Sequence, residues 1–243
     1  MKLKDQPMNR IRIGALASPA LLALSILMPG SLLAEWTGGV EGGQVLQGKE
    51  KGTRLRFKLS NSERPFSQTF YADWVRGNEN SNSYEAGYTP RYWFSDQTYA
   101  FGEGSLKTSK SFNIDQQIRA LAGVGIQLLN TDSQSLFAEV GAGQVATTFD
   151  FNDETTGKAF KETTGIATAR LGAAQTLSDL IKLELNADYS TAKDLVTTSA
   201  EAGISLRIPG GAVKYSYRLR SSTFGDNDAI DEADSSVSFN YGF

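Results

Sequence analysis

The side chains that could do chemistry in this 243-residue chain are carboxylates, amines, guanidiniums and hydroxyls, because it contains no Cys and no His. The absence of Cys excludes a disulfide framework, a thiolate zinc site, a cysteine nucleophile and a lipid-anchored N-terminal Cys. The absence of His removes the usual general base at neutral pH. It also removes the Ser-His-Asp triad and nearly every catalytic zinc site. What remains is a pattern of charge. Arg54, Arg56 and Lys58 alternate with Leu55, Phe57 and Leu59. Lys214, Arg218 and Arg220 alternate with Val213, Tyr215, Tyr217 and Leu219. Charges spaced by two suit a hydrated polar face that binds or passes small charged solutes. They do not suggest a reaction centre, and no catalytic residue, metal ligand or cofactor is assigned.

Such spacing requires strands, whose successive side chains point to opposite faces. The end of the chain shows it most clearly. Val237, Phe239, Tyr241 and Phe243 take one face, and Ser236, Ser238, Asn240 and Gly242 the other. Ile181, Leu183 and Leu185 likewise oppose Lys182, Glu184 and Asn186. The alternation predicts twelve strands, at 36–47, 52–61, 66–77, 82–94, 98–109, 113–129, 134–148, 161–176, 180–190, 196–208, 211–222 and 233–243. Tight turns with turn-forming residues, such as Ser95-Asp96-Gln97 and Pro209-Gly210, alternate with longer polar loops, notably Phe149 to Phe160 and Thr223 to Glu232. Short turns at one end and longer loops at the other predict an all-β fold, an antiparallel transmembrane β-barrel. A soluble two-sheet sandwich also alternates. The length of the segments, the charged polar face and the aromatics near strand ends favour the barrel. Trp36, Tyr92, Trp93, Phe94, Tyr99 and Phe243 are expected to form an interfacial girdle.

The first 34 residues read differently. Lys2, Lys4, Arg10 and Arg12 precede an uncharged apolar run from Ile13 to Met28, and Ala34 supplies a small residue for cleavage before Glu35. The run is short of the ~20 residues a helical span needs. Residues 1–34 are therefore expected to be a cleavable signal peptide, with the barrel occupying 35–243.

With the apolar face against lipid, the polar face becomes a lumen. Its candidate lining includes Arg54, Arg56, Lys58, Lys214, Arg218, Arg220, Glu41 and Glu201. Arg91, Lys107, Arg119, Arg170, Lys182 and Arg207 are further basic candidates, with Asp73, Glu85, Glu103, Glu139, Glu184 and Asp188 as further acids. A narrow barrel is expected to pair such charges, since a lone charge in low dielectric is costly. Ring closure would set the first strand beside the last. The basic second and eleventh strands would then flank a seam of small residues: Gly39, Gly43, Ser236, Ser238 and Gly242. That arrangement predicts a groove with basic walls and a weakly anion-favouring passage. The acidic segment from Asp226 to Asp234 lacks the glycine and glutamate spacing of a calcium loop and reads as a solvated outer loop. Gly38-Gly39, Gly42-Gly43 and Gly141-Ala142-Gly143 fit close-packed strands, not phosphate loops. No basic tract suggests nucleic acid.

Trp36-Thr-Gly38, Tyr92-Trp-Phe-Ser-Asp-Gln-Thr-Tyr-Ala-Phe-Gly102, Gly123-Val-Gly125 with Asn130-Thr-Asp132, Ser135-Leu136 with Glu139-Val-Gly-Ala-Gly143, and Asp234 to Phe243 together resemble the YdiY-like family of salt-induced outer-membrane proteins, which carry the domain of unknown function 481. The chain departs from the family at Gln47-Gly48-Lys49-Glu50, where Gly-Asn-Thr or Gly-Asn-Ser is common. The resemblance implies a barrel in the outer membrane of a Gram-negative envelope, and a link to salt or osmotic stress. The expected function is a non-enzymatic narrow pore or envelope-integrity protein. The alternative is a surface-interaction barrel, an adhesin or receptor working through its loops. An outer-membrane enzyme is disfavoured, because familiar barrel enzymes rely on His. Expected partners are outer-membrane lipid and lipopolysaccharide, the barrel assembly machinery, and small solutes or ions. Phe239, Tyr241 and Phe243 are the expected assembly signal.

Overall fold

A computed structural model describes residues 36–47, 50–77, 82–110, 114–152, 159–193, 195–224 and 230–242. The segment read as a signal peptide, the terminal Phe243 and residues 226–229 of the acidic segment lie outside these. The alternating segments form twelve strands. The first six are β1 (Trp36–Gln47), β2 (Glu50–Asn61), β3 (Phe66–Arg76), β4 (Ser83–Trp93), β5 (Thr98–Ser109) and β6 (Ile114–Asn130). They continue as β7 (Gln134–Asn152), β8 (Ala159–Thr176), β9 (Ile181–Ala192), β10 (Leu195–Ile208), β11 (Gly211–Phe224) and β12 (Ile230–Gly242). Each pairs antiparallel with its neighbours in sequence. β1 pairs with β12 over Gly39↔Gly242 to Gln47↔Asp234, so the sheet closes into a barrel with no free edge strand. Closure satisfies the backbone hydrogen bonds between strands, which is the condition for a sheet in hydrocarbon.

The short turns cluster at one end. At the β10–β11 turn, Pro209 fixes the entry and Gly210 takes φ 83°, a left-handed conformation that suits glycine. At the β4–β5 turn the Ser95 hydroxyl accepts from the Gln97 and Thr98 amides. At the opposite end the strands run further than the alternation predicts. β7 continues to Asn152 and β8 starts at Ala159, so Asn152 and Ala159 pair within the expected Phe149–Phe160 loop, Phe149 and Phe160 are in ring contact at 5.5 Å, and residues 153–158 lie outside the described residues. β11 likewise reaches Phe224 and β12 starts at Ile230, which shortens the second expected loop. The reason is physical. Above an apolar band both faces of a strand meet water, so the period-two signal vanishes while backbone pairing continues.

The outward face carries Val40, Leu55, Phe57, Val124, Val140, Leu171, Leu185, Tyr215, Val237 and Phe239, all exposed on the isolated chain. In a barrel this is the lipid-facing band. Part of the expected girdle is there. Tyr92 and Phe94 point outward near the turn end, edge to face at 5.5 Å, and Trp36 lies 6.0 Å from Phe70. Trp93 and Tyr99 do not belong to it. They oppose each other across β4 and β5 on the inward face, 4.5 Å apart, and Tyr99 is only 2% exposed. Their parity with Arg91 and Glu103, two and four residues away, dictates that direction. Trp74 and Tyr84 stack at 6.2 Å near the loop end, a second aromatic pair on the outward face.

Candidate functional site

Register decides which charges meet, because directly opposed residues in an antiparallel pair share a face. Glu41 opposes Arg56 on one side and Asn240 on the other, Gly43 opposes Arg54 and Ser238, and Gly39 opposes Lys58. Across β2 and β3, Arg56 opposes Asp73 and Lys58 opposes Tyr71. Across β10 and β11, Glu201 opposes Arg218, Ser205 opposes Lys214 and Ser199 opposes Arg220. All eight lumen candidates, Arg54, Arg56, Lys58, Lys214, Arg218, Arg220, Glu41 and Glu201, therefore stand on the inward face. The further candidates join them: Glu85 opposes Lys107, Glu139 opposes Arg170, and Arg170 opposes Asp188. Phe239 and Tyr241 stand on the outward face of the last strand.

The inward charges form two groups. One surrounds the β1–β12 seam. Asp73 accepts from Arg54 and, at 3.0 Å, from Arg56, whose other nitrogen lies 3.9 Å from Glu41. The Ser238 hydroxyl donates to Glu41 at 2.7 Å, which adds a side-chain tie across the closure. Arg218 pairs with Glu201. Lys182 and Lys214 donate to the two oxygens of Glu184 at 2.8 and 2.6 Å. The second group fills the lumen between β4 and β8. Glu139, 3% exposed, accepts from Arg91 at 3.0 Å and from the Tyr99 hydroxyl at 2.9 Å, and lies 3.7 Å from Arg170. Arg170 reaches Glu103 at 2.5 Å and Asp188 at 3.3 Å, and Arg119 lies 3.4 Å from Glu103. Trp93 donates to Ser67 at 3.1 Å, and Phe101 is buried beside this cluster. Charge-assisted bonds shared among several partners offset the desolvation that a lone pair would suffer.

Where long side chains converge, the lumen is closed. Thr89, Glu103, Leu121, Glu139 and Thr168 are all buried on the β4–β8 arc. The expected groove at the seam is also covered at mid-height. Ser238 is buried against Glu41, and Ser236 is buried in a 2.7 Å hydroxyl pair with Ser216. Open space lies elsewhere: Lys58 on β2 and Asn186 and Asp188 on β9 are inward-facing yet exposed. Sequence reasoning missed the inward aromatics Tyr71, Trp93, Tyr99 and Phe101. Each lies two or four residues from an inward charge, so the parity that marked the charges marked them as well. No grouping of three or more acidic side chains that could hold a metal ion occurs among the described residues.

Residues 42–243 match the family described as "Protein of unknown function, DUF481". No curated protein matches the chain. Solved structures with a similar fold include the NanC porin, with a TM-score of 0.55, 8% identity, and coverage of 84% of this chain and 98% of that one. The KdgM porin aligns with a TM-score of 0.51 and 13% identity over 84% of this chain and 99% of its own. The COG4313 outer membrane channel from Pseudomonas putida F1 aligns with a TM-score of 0.55 and 8% identity over 89% and 100%. At such identities the likeness is one of fold.

Proposed function

The chain belongs to the DUF481 family, and from that membership together with its charged lumen we propose that it is a non-enzymatic outer-membrane barrel forming a narrow passage for small hydrophilic solutes. One observation carries the reading: the inward side chains of Lys58, Asn186 and Asp188 are accessible to water inside a largely ion-paired lumen. A barrel serving only as a membrane anchor has no need for accessible polar groups on its inner wall. The fold shared with structures named as porins and as an outer membrane channel supports the same reading. Paired walls imply weak selectivity, because Arg54 and Arg218, which the seam would offer to anions, are held by Asp73 and Glu201.

The outward apolar band would face lipid and lipopolysaccharide. Phe239 and Tyr241 on the lipid side of the last strand would present the assembly signal. The link to salt or osmotic stress rests on the family resemblance. The test is reconstitution of the purified chain in planar bilayers and liposomes. Discrete small conductance and faster swelling in small sugars are expected. A refolded barrel without either would overturn the passage. Unimpaired growth of a deletion strain in high salt would remove the stress link.

A further inference from the structure

The inward-facing cations of this barrel are not equally satisfied. Arg54, Arg56, Arg91, Arg119, Arg170, Lys182, Lys214 and Arg218 each reach a carboxylate at 3.9 Å or less. Lys107 and Arg220 also have partners. Lys58 makes no ion pair among the described residues, although it stands between Gly39 and Tyr71 on the inward face of the wall. The charges that act on its ammonium are those of Glu184, Arg91, Arg56 and Lys182, three cations and one carboxylate. That carboxylate already accepts from Lys182 and Lys214. Arg91 and Arg56 are drawn away to Glu139 and to Asp73. The neighbouring Tyr71 hydroxyl donates to Glu85, so it offers the ammonium no full counter-charge. On the other side Gly39 has no side chain, which leaves room beside the Lys58 amine. An inward, accessible and unneutralised ammonium with two guanidiniums in its field lacks an anion.

We propose that Lys58, with Arg56 and Arg91 contributing field, forms a binding station for a small oxyanion, a carboxylate or a phosphate, within the lumen. The proposal rests on the reading of the lumen as a water-filled passage. It replaces the seam arginines with Lys58 as the source of anion preference. An ammonium with three donors and a free approach suits a tetrahedral or planar oxyanion taken from water, held loosely enough to leave again.

The test uses the full barrel in detergent micelles, with inorganic phosphate followed by phosphorus NMR line broadening and gluconate by saturation-transfer difference. Binding of at least one probe is expected, weakened at least tenfold in Lys58→Gln, regained in Lys58→Arg and unchanged in Lys193→Gln, whose side chain is exposed in the connection between β9 and β10. Phosphate alone or gluconate alone would assign the oxyanion class. Equal binding by wild type and Lys58→Gln, or no binding of either probe, would overturn the station. These readouts need no conductance, so a barrel that binds but does not conduct would refute the passage and leave the station standing. In a conducting barrel, Lys58→Glu is expected to shift the reversal potential in a salt gradient toward cations.

Discussion

Glu139 is the residue on which most of the inward network converges. It sits at 3% exposure with Arg91 and the Tyr99 hydroxyl bonded to one oxygen and Arg170 nearby. Removing the carboxylate leaves Arg91 without its ion-pair partner, while Arg170 keeps Glu103 and Asp188. Breaking a buried pair from one side typically costs ~3–5 kcal/mol. Arg91 and Arg170 keep 25% and 21% of their side-chain surface open to lumen water, so Glu139→Ala should fall at the low end of that range. Tyr99→Phe removes one bond to the same carboxylate and should cost about 1–2 kcal/mol. Urea unfolding of the barrel in lipid vesicles measures both. A Glu139→Ala midpoint equal to wild type would show that the cluster contributes nothing to stability. The same residue shows what pattern alone could tell. Its parity placed it in the lumen, but nothing local announces that residues 40 and 48 positions away, Tyr99 and Arg91, would meet it. That meeting is a product of register summed over several strands.

At the scale of the strand, the glycines and aromatics act together. The Tyr99 ring lies over Gly125 on the adjacent β6, and a Cβ there would overlap the ring. Tyr71 covers Gly87 and Phe137 covers Gly172 in the same way. A ring laid flat on a neighbouring glycine buries that exposed backbone and directs the aromatic along the wall instead of across the lumen. Gly125→Ala should therefore displace Tyr99, break its bond to Glu139 and cost about 1–3 kcal/mol. Gly104→Ala and Gly165→Ala meet nothing within 4 Å and should unfold at the wild-type midpoint. Tyrosine fluorescence and urea titration of the three variants check this, and equal midpoints in all three would remove the ring contact as a stabilising element. The strand number and the inward set were legible because lipid on one side and water on the other impose a strict period of two. The upper ends of β7, β8, β11 and β12 were not, since successive residues there, such as Lys161, Glu162 and Thr163 on β8, are exposed on both faces. Nor was the direction of Trp93 and Tyr99, because position near a strand end suggested lipid contact while parity placed them inside.

Considered as a whole molecule, the barrel is filled unevenly. The β4–β8 arc is packed solid by the Glu139 cluster and the inward aromatics, and the seam is covered by Glu41 and the serine pairs. Space reached by water borders β2 and β9, which are nearly opposite in the strand order. A passage of this kind is lined by few groups, so its properties depend on individual residues more than on total lumen charge. The absence of Cys makes the arrangement directly measurable, because any introduced thiol reports alone. Lys58→Cys, Asn186→Cys and Asp188→Cys should react with a charged, membrane-impermeant methanethiosulfonate in lipid-embedded barrels. Thr168→Cys, buried on the packed arc, and Val140→Cys, facing lipid, should not. Attaching a bulky reagent at the first three positions should also reduce any single-channel current, whereas treating the last two should leave it unchanged. Equal reactivity at Thr168 and Lys58 would mean that the lumen is open throughout, and the restricted passage would be wrong. Protection of Lys58, Asn186 and Asp188 alike would mean a sealed lumen, and the barrel would then act through its surface instead of its interior.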